Sequence, residues 1–189
     1  MKKFSLIVLQ IILLVSVLSA QKEETLFGKT GLKITGAWGG PAFGTTFFEN
    51  ETAVTRGTFW MLEFNDVISA GFGNERTFES VQLIEGEVGK YDFKHNGFHV
   101  NFYPQTEKVL HPTFGFMLGG GELNDNQGTK DGLFVVQPTA GLEVNVFKWW
   151  KVGVDGGYRI VTRVNSPGIE NEDLSAFFIN LKLRFGFSW

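Results

Sequence analysis

The last fifteen residues of the chain, positions 175 to 189, carry an alternating pattern in which the even positions from Asn180 onward are polar or small. From Phe177 onward every odd position is apolar, and the series ends on Trp189. On the opposite face two even positions, Lys182 and Arg184, carry charge. A period of two indicates a β-strand with two unlike faces. Such a strand is typical of a transmembrane β-barrel, which has lipid outside and a polar interior.

The first twenty residues have the pattern of a secretory signal peptide. Lys2 and Lys3 give a basic start, and positions 6 to 18 are an apolar run interrupted twice. Ser19 and Ala20 are small, which suits cleavage after position 20. The run is shorter than the roughly twenty residues that a spanning helix needs. We therefore predict that residues 1–20 are a signal peptide and that residues 21–189 form one exported domain. An uncleaved N-terminal anchor is the alternative.

The composition excludes several classes of protein. Without the signal peptide the chain has 15 basic and 20 acidic residues, which argues against a nucleic-acid partner. Cysteine is absent, so neither a disulfide-stapled domain nor a lipid-anchored lipoprotein is possible. Aromatic residues make up 15% of the chain and 24 residues are glycine. This composition fits an outer-membrane barrel, and it also fits a soluble β-sandwich.

Alternating segments predict eight strands and no helix. They lie at about 32–41, 57–64, 66–74, a fourth ending at 104, 111–120, 133–147, 150–161 and the terminal strand. In the fourth strand Phe93 and Phe98 fall on opposite faces, which predicts a β-bulge between them. Pro138 predicts a bulge or a break in the sixth strand.

The connections between these strands are predicted to alternate between long and short. The long ones are 49–56, 75–90, 122–131 and 163–173. An even strand number with this alternation predicts both chain ends in the periplasm and long loops outside the cell. The long loops are acidic, and divalent cations are able to bridge such loops to anionic lipopolysaccharide. Segment 124–128 lacks the distal glutamate of a calcium-binding loop, so no metal site is predicted.

Periodicity alone does not decide which face of the strands points outward. A soluble barrel of the lipocalin kind has its apolar face inside. The membrane arrangement is favoured because the chain ends on a strand, the polar face is small, and aromatic residues collect near strand ends. The residues predicted to form this interfacial girdle are Trp38, Phe147, Trp149 and Trp150.

The polar face carries charges that a membrane barrel would enclose. An eight-stranded barrel is only wide enough to be filled by side chains, and buried charges are costly unless paired. We predict a lumenal salt-bridge network that links Glu143 and Asp155 with Arg159, Lys182 and Arg184. An ion pathway is the alternative. The predicted lumenal charges are Lys33, Glu63, Glu143, Lys151, Asp155, Arg159, Lys182 and Arg184.

Several runs resemble a family of small outer-membrane β-barrel proteins of Bacteroidota, and more distantly the OmpA and OmpX type of eight-stranded barrel. They are HPTFGFMLGGGEL (111–123), FVVQPTAGLEVNVFKW (134–149), VGVDGGYR (152–159), DLSAF (173–177) and LRFGF (183–187). The resemblance implies the fold and the outer-membrane location, and it implies no catalytic activity. It also implies that Phe185, Phe187 and Trp189 are a signal read by the outer-membrane assembly machinery.

We therefore predict a structural or adhesive outer-membrane protein that is not an enzyme and needs no cofactor. Its expected partners are outer-membrane lipid, lipopolysaccharide and the assembly machinery. The alternatives are a small-solute or ion pore, an envelope lipid-modifying enzyme, and a soluble periplasmic lipocalin-like binder. The one catalytic trio considered, Ser80, His95 and Glu85, lacks a spacing that supports contact between a nucleophile and a base.

Overall fold

Eight antiparallel strands close into one barrel in sequence order, and the last strand pairs with the first. The structure is a computed structural model that describes residues 31–83, 90–125 and 129–189. The strands are β1 (Ile34–Phe47), β2 (Thr52–Phe64), β3 (Ile68–Thr77), β4 (Tyr91–Phe102), β5 (Leu110–Asp125), β6 (Lys130–Phe147), β7 (Trp150–Thr162) and β8 (Ala176–Ser188), with a short helix, α1 (Asn171–Leu174), before β8. The predicted all-β, eight-stranded antiparallel up-and-down barrel is confirmed. The predicted signal peptide lies outside the described residues.

The two ends of the barrel differ in what they carry. One end, called here the terminal end, holds the start of β1, the end of β8 and the connections 65–67, 103–109 and 148–149. The other, the distal end, holds the connections 48–51, 78–90, 126–129 and 163–175. No helix in the described ranges is long and apolar enough to cross a membrane.

Two of the four predicted long loops are shorter than predicted, because strands extend into them. The first and third distal connections have only four residues each, at 48–51 and 126–129, because β2 begins at Thr52 and β5 and β6 reach Asp125 and Lys130. The segment 52–56 reads Thr-Ala-Val-Thr-Arg, and its β-branched residues favour a strand. Its outward positions are partly polar, so the apolar alternation that marks the other strands is weak there. The prediction of a loop at 49–56 is therefore wrong.

The barrel presents its apolar face outward and its charged face inward. Trp60 is 75% exposed on the outside, whereas its neighbours Phe59 and Met61 are buried inside. The terminal strand has the same arrangement, with Phe177 outside and Arg184 buried in the interior. This arrangement is the opposite of a lipocalin-type barrel.

Trp38 points into the barrel, so its assignment to the interfacial girdle is wrong. The pairing of β1 with β2 shifts between Ile34, which opposes Phe64, and Gly36, which opposes Glu63. The extra residue, Thr35, forms a β-bulge, and one extra residue moves every later side chain to the other face. Ile34 therefore remains exposed while Trp38 is only 2% exposed.

The bulge predicted in β4 is absent. The pairing of β4 with β5 runs from Tyr91 to Phe102 without a shift in register. Phe93 is buried inside the barrel and Phe98 is exposed outside it. The change of pattern in the sequence thus reflects a change in the interior itself, which is apolar near the distal end and polar below it.

Pro138 interrupts one ladder without shifting its register. It opposes Phe116 on β5, but the pairing of β6 with β7 passes from Val136–Ile160 to Thr139–Gly157 with no pair between them. The register is the same on both sides of this gap. Proline has no N–H to donate, so the ladder lacks pairs beside it. Of the two predicted disturbances, a bulge or a break in the ladder, the structure shows the break.

An apolar cluster fills the distal end of the barrel. Phe48 and Phe93 meet edge to face with ring centroids 6.3 Å apart. Leu174, the last residue of α1, is fully buried in the same cluster. The helix is held by a capping box in which the backbone N–H of Glu170 donates to Asp173 at 2.7 Å. The buried members of this distal cap are Phe48, Ala53, Val81, Leu83, Phe93, Met117, Leu123, Leu133, Val135, Val161, Ile169, Leu174 and Ala176.

The distal cap predicts that Leu174→Ala loosens the β7–β8 connection. Truncation of a buried leucine costs about 2–5 kcal/mol because the transfer free energy is lost and a cavity is left. We expect faster proteolysis within 163–175, measured by limited digestion and mass spectrometry. Val109→Ala, at a residue that is 70% exposed, is the control and should change nothing. Equal digestion rates for the two variants would contradict a packed cap.

Candidate functional site

The barrel interior holds equal numbers of carboxylates and cations. Among the described residues these are Glu63, Glu75, Glu143 and Asp155 on the acidic side and Lys151, Arg159, Lys182 and Arg184 on the basic side. Lys33 does not belong to this set, because it precedes β1 and is exposed. Its assignment to the lumen is therefore wrong, because β1 begins only at Ile34 and Lys33 is not part of the barrel wall.

Arg184 is the centre of a cluster near the terminal end. Its Nη1 donates to both carboxylate oxygens of Glu143, at 2.8 and 2.9 Å. Its Nη2 lies 3.6 Å from Glu63 Oε2, and His111 Nε2 lies 3.3 Å from Glu143 Oε1. Ser188 Oγ donates to Glu63 Oε1 at 2.5 Å. One guanidinium therefore connects carboxylates from β2 and β6 to the closing strand β8.

Aromatic rings complete this cluster. Lys151 Nζ lies 4.4 Å from the centre of a Trp38 ring, and Arg184 lies 5.1 Å from the same ring. Arg184 also lies 4.2 Å from the ring of Tyr103. Burial raises the pKa of Tyr103, which keeps its hydroxyl neutral. Lys151 forms no ion pair within the part of the chain that the structure describes, so the face of Trp38 is its main compensation.

The middle of the lumen is filled around one further ion pair, between Lys182 on β8 and Asp155 on β7. Two cavities border Lys182, with volumes of about 30 and 20 Å³. Spaces of this size hold one or two water molecules each. The two cavities share Met61, Asn101 and Lys182 in their linings, so they adjoin each other in the middle of the lumen.

A second cluster lies directly below the distal cap and is centred on Arg159. Its Nη2 donates to Glu75 Oε1 at 2.8 Å and to Thr46 Oγ1 at 3.3 Å. With the Gln137 amide oriented to satisfy both of its neighbours, its oxygen accepts from Arg159 Nε at 2.9 Å and its nitrogen donates to His95 Nε2 at 3.1 Å. The guanidinium also lies 4.9 Å from the ring of Phe93.

The sequence did not identify the partner of Arg159. It grouped Arg159 with Glu143 and Asp155, whereas the structure pairs it with Glu75. Glu75 had been assigned to a long acidic loop, but β3 extends to Thr77 and directs Glu75 inward. Ser69, Gly71, Gly73 and Glu75 occupy alternate positions, and this pattern could have predicted that Glu75 points into the barrel. The structure does bring Glu143 to Arg184 and Asp155 to Lys182.

Three of the four predicted girdle residues lie together outside the barrel at the terminal end. Phe147 and Trp149 stack with ring centroids 5.5 Å apart, and Trp149 and Trp150 are 6.3 Å apart. Trp150 also stacks on Phe185 of the closing strand at 6.1 Å. The two other residues of the predicted assembly signal, Phe187 and Trp189, are exposed.

The candidate catalytic trio is not assembled. Ser80 Oγ donates to Asp92 at 2.7 Å at an exposed site, whereas His95 is buried in the lumen and contacts Gln137. Glu85 lies outside the described residues. Ser80 and His95 thus have separate partners, and no nucleophile–base pair forms between them.

Comparison with known structures gives the same architecture. The chain is similar to Neisserial surface protein A (TM-score 0.58, 11% identity), with 84% of this chain and 99% of that chain covered. It is also similar to the N-terminal β-barrel domain of Pseudomonas aeruginosa OprF (TM-score 0.55, 10% identity), with 81% and 98% covered. No family model matches the chain, and no curated protein matches it. At these identities the likeness shows the shared barrel fold.

The Arg184 cluster predicts a large coupling between two buried residues. Arg184→Met should destabilise the barrel by about 3–5 kcal/mol because it leaves Glu143 and Glu63 buried without their cation. Adding Glu143→Leu should recover part of that loss. The free energy of unfolding, measured by urea titration in lipid vesicles, tests both expectations.

The control for this experiment is Lys94→Met, which breaks the exposed Lys94–Glu122 pair of 3.0 Å on the outer surface. It should leave stability almost unchanged, because exposed ion pairs are screened by solvent. A loss for Arg184→Met no larger than that for Lys94→Met would show that the lumenal pairing does not hold the barrel together.

Proposed function

We propose that this protein is a bacterial outer-membrane β-barrel with a side-chain-filled lumen and a structural or surface-interaction role. The observation that carries the proposal is the pairing of an apolar outer surface with a charge-balanced, closed interior. A membrane offers no water to exposed backbone groups, so a spanning sheet must close on itself. The ladder between β1 and β8 supplies that closure.

Strand length and the position of the aromatic residues support the membrane location. A spanning β-strand needs about 9–11 residues. The strands here have between 10 and 18, so the longer ones are able to cross a bilayer and project beyond it. The stacked cluster of Phe147, Trp149 and Trp150 has the chemistry of an interfacial girdle. One similar structure is described as a surface protein, and we extend that location to this chain.

We further propose that the chain ends face the periplasm and the distal end faces the exterior. With eight strands both ends lie on the same side. The two longest connections, 78–90 and 163–175, are both at the distal end, and longer loops are typical of the extracellular side. Exposed carboxylates are concentrated there, which suits contact with cations or with a basic partner surface. They include Glu49, Glu51, Glu79, Glu170 and Glu172.

The alternatives fit the structure less well. A pore needs a continuous lumen, whereas Arg159, Arg184 and the distal cap fill this one. A soluble lipocalin-like binder needs its apolar face inside. A lipid-modifying enzyme needs a nucleophile and base in contact near the outer edge, and the candidate residues have other partners.

Reconstitution tests the proposed location and the filled lumen together. The protein without residues 1–20 should fold into lipid vesicles, resist extraction without detergent, and migrate differently on gels before and after boiling. In planar bilayers it should give no stable ion-conducting steps, because charged side chains and the distal cap obstruct the lumen. A protein that stays soluble without detergent contradicts the membrane proposal, and regular conductance steps contradict the filled lumen.

The end of the chain predicts a specific insertion defect. The backbone N–H of Trp189 donates to the Thr35 carbonyl at 2.7 Å, and the side chain is 73% exposed beyond β8. Deleting Trp189 should reduce the fraction inserted into the outer membrane in cells because both the closing bond and the terminal aromatic are lost. Trp189→Phe keeps both and should insert normally. Equal insertion of the deletion variant would show that this residue is not read by the assembly machinery.

A further inference from the structure

Three cations stand side by side on the outer surface of β2, β3 and β4. Arg56 lies directly opposite Arg76 in the β2–β3 ladder, and Arg76 lies directly opposite Lys94 in the β3–β4 ladder. All three side chains point outward and are exposed. We call these three residues the basic row. They do not form a sequence motif, because they are about twenty residues apart along the chain.

The basic row is poorly compensated by the protein itself. Like charges directly opposite one another on a sheet are destabilising. Neither Arg56 nor Arg76 forms an ion pair with a described residue, although Glu51 and Glu79 line the adjoining surface next to Arg56. Arg56 lies 4.8 Å from the centre of the Phe78 ring, which compensates its charge in part. Lys94 shares Glu122 with Lys130, at 3.0 and 3.4 Å. A polyvalent anion would relieve the repulsion that remains.

Neutral hydrogen-bonding groups lie in the next row toward the terminal end. Thr58, Asn74 and Asn96 oppose one another in the same two ladders, and Asn74 Nδ2 donates to Thr58 Oγ1 at 2.9 Å. Together with Phe43, the two rows line a groove of about 490 Å³ on the outer wall of the barrel. The groove thus combines cations, hydroxyl and amide groups and an aromatic edge.

The height of the basic row matches a membrane interface. In each of the three strands the cation lies eight residues from the outermost apolar residue at the terminal end. That residue is Phe64 on β2, Ile68 on β3 and Phe102 on β4. At about 3.4 Å per residue and a tilt of about 40°, eight residues rise roughly 20 Å. The apolar band of such barrels is about 25 Å tall. The row therefore lies close to the headgroups of one leaflet, with Trp60, Phe72 and Phe98 in the acyl region below it.

We propose that the basic row binds the phosphate groups of a phosphorylated glycolipid in the outer leaflet, of the lipid A class. This inference rests on the proposed membrane location with the distal end outward. Arginine guanidinium groups bind phosphate through two parallel hydrogen bonds, and two opposed arginines supply two such donor pairs. The Thr58, Asn74 and Asn96 row adds neutral donors for sugar or amide oxygens, and the apolar residues below contact the acyl chains.

The test compares lipids and variants in one reconstituted system. The protein is folded into phosphatidylcholine nanodiscs, and binding of diphosphorylated lipid A or dephosphorylated lipid A is followed by native mass spectrometry. We expect Arg56→Gln with Arg76→Gln to weaken binding of the diphosphorylated lipid about tenfold, which corresponds to about 1.4 kcal/mol. Binding of the dephosphorylated lipid should be weak and unchanged. Inorganic phosphate should compete poorly, because it lacks the acyl contacts.

The matched control removes the same charge from the opposite end. Lys108→Gln with Lys148→Gln takes two exposed lysines from terminal-end connections and should bind the diphosphorylated lipid as the parent protein does. Diphosphorylated lipid A should also slow unfolding of the parent protein and of the control, and it should slow unfolding of the arginine variant less at the same lipid concentration. Without that lipid, the arginine variant should be at least as stable as the parent because the opposed charges are gone.

The outcomes separate this proposal from the one on which it rests. Binding that is equal for the two lipids, or equal for the arginine variant and the parent protein, overturns the site while leaving the membrane barrel intact. Competition by inorganic phosphate at the same concentration as the lipid also overturns the lipid assignment. A parent protein that does not insert into bilayers overturns the proposed function, and the site with it.

Discussion

Closure of β1 onto β8 is the constraint on which the rest of the molecule depends. It satisfies the backbone hydrogen bonds of both edge strands, from Gly36–Ser188 to Phe47–Phe177. It also fixes the diameter, because eight strands enclose a space that side chains alone can fill. A charge directed inward then has no bulk water to solvate it and must find a partner across the lumen. The outer face, by contrast, carries mainly apolar side chains.

The lumenal ion pairs lie at successive levels along the barrel axis. Arg184 holds Glu143 and Glu63 near the terminal end, Lys182 holds Asp155 in the middle, and Arg159 holds Glu75 below the distal cap. Aromatic rings also lie against the lumenal cations, as the Trp38 ring does against Lys151. Above the last ion pair the interior becomes apolar, so the barrel ends in a conventional hydrophobic core. Ion pairs and apolar packing thus occupy successive levels of the described lumen.

The outer wall is less uniform than the interior. On β2, β3 and β4 the apolar side chains give way to an amide and hydroxyl row and then to the basic row, with Arg56 opposed to Arg76. Like charges opposed in this way repel each other, and an anion beside them would offset that repulsion. The lumenal cations Arg159, Lys182 and Arg184 have carboxylate partners within the barrel, whereas Arg56 and Arg76 have none among the described residues.

The sequence by itself determined the strands, their faces and most of the lumenal residues, since a period of two is a local property of the chain. The alternation of 175–189 was sufficient to place Arg184 and Phe185 on opposite sides of the wall. It failed at Trp38 because a single-residue bulge at Thr35 inverts the faces and leaves no mark in the composition. It failed at Lys33 because β1 begins only at Ile34. It also failed at Phe93, where the interior itself changes from polar to apolar.

Only the tertiary structure decided which charges meet. Arg159 and Glu75 are 84 positions apart, and their contact depends on the stagger of β3 against β7 across the lumen. The opposition of Arg56, Arg76 and Lys94 is likewise a consequence of register. Register is set by hydrogen bonds between strands and by closure of the whole sheet, so no local pattern encodes it. Local alternation therefore predicts the face of a residue wherever the register is unbroken, whereas closure of the sheet decides its height and its partner.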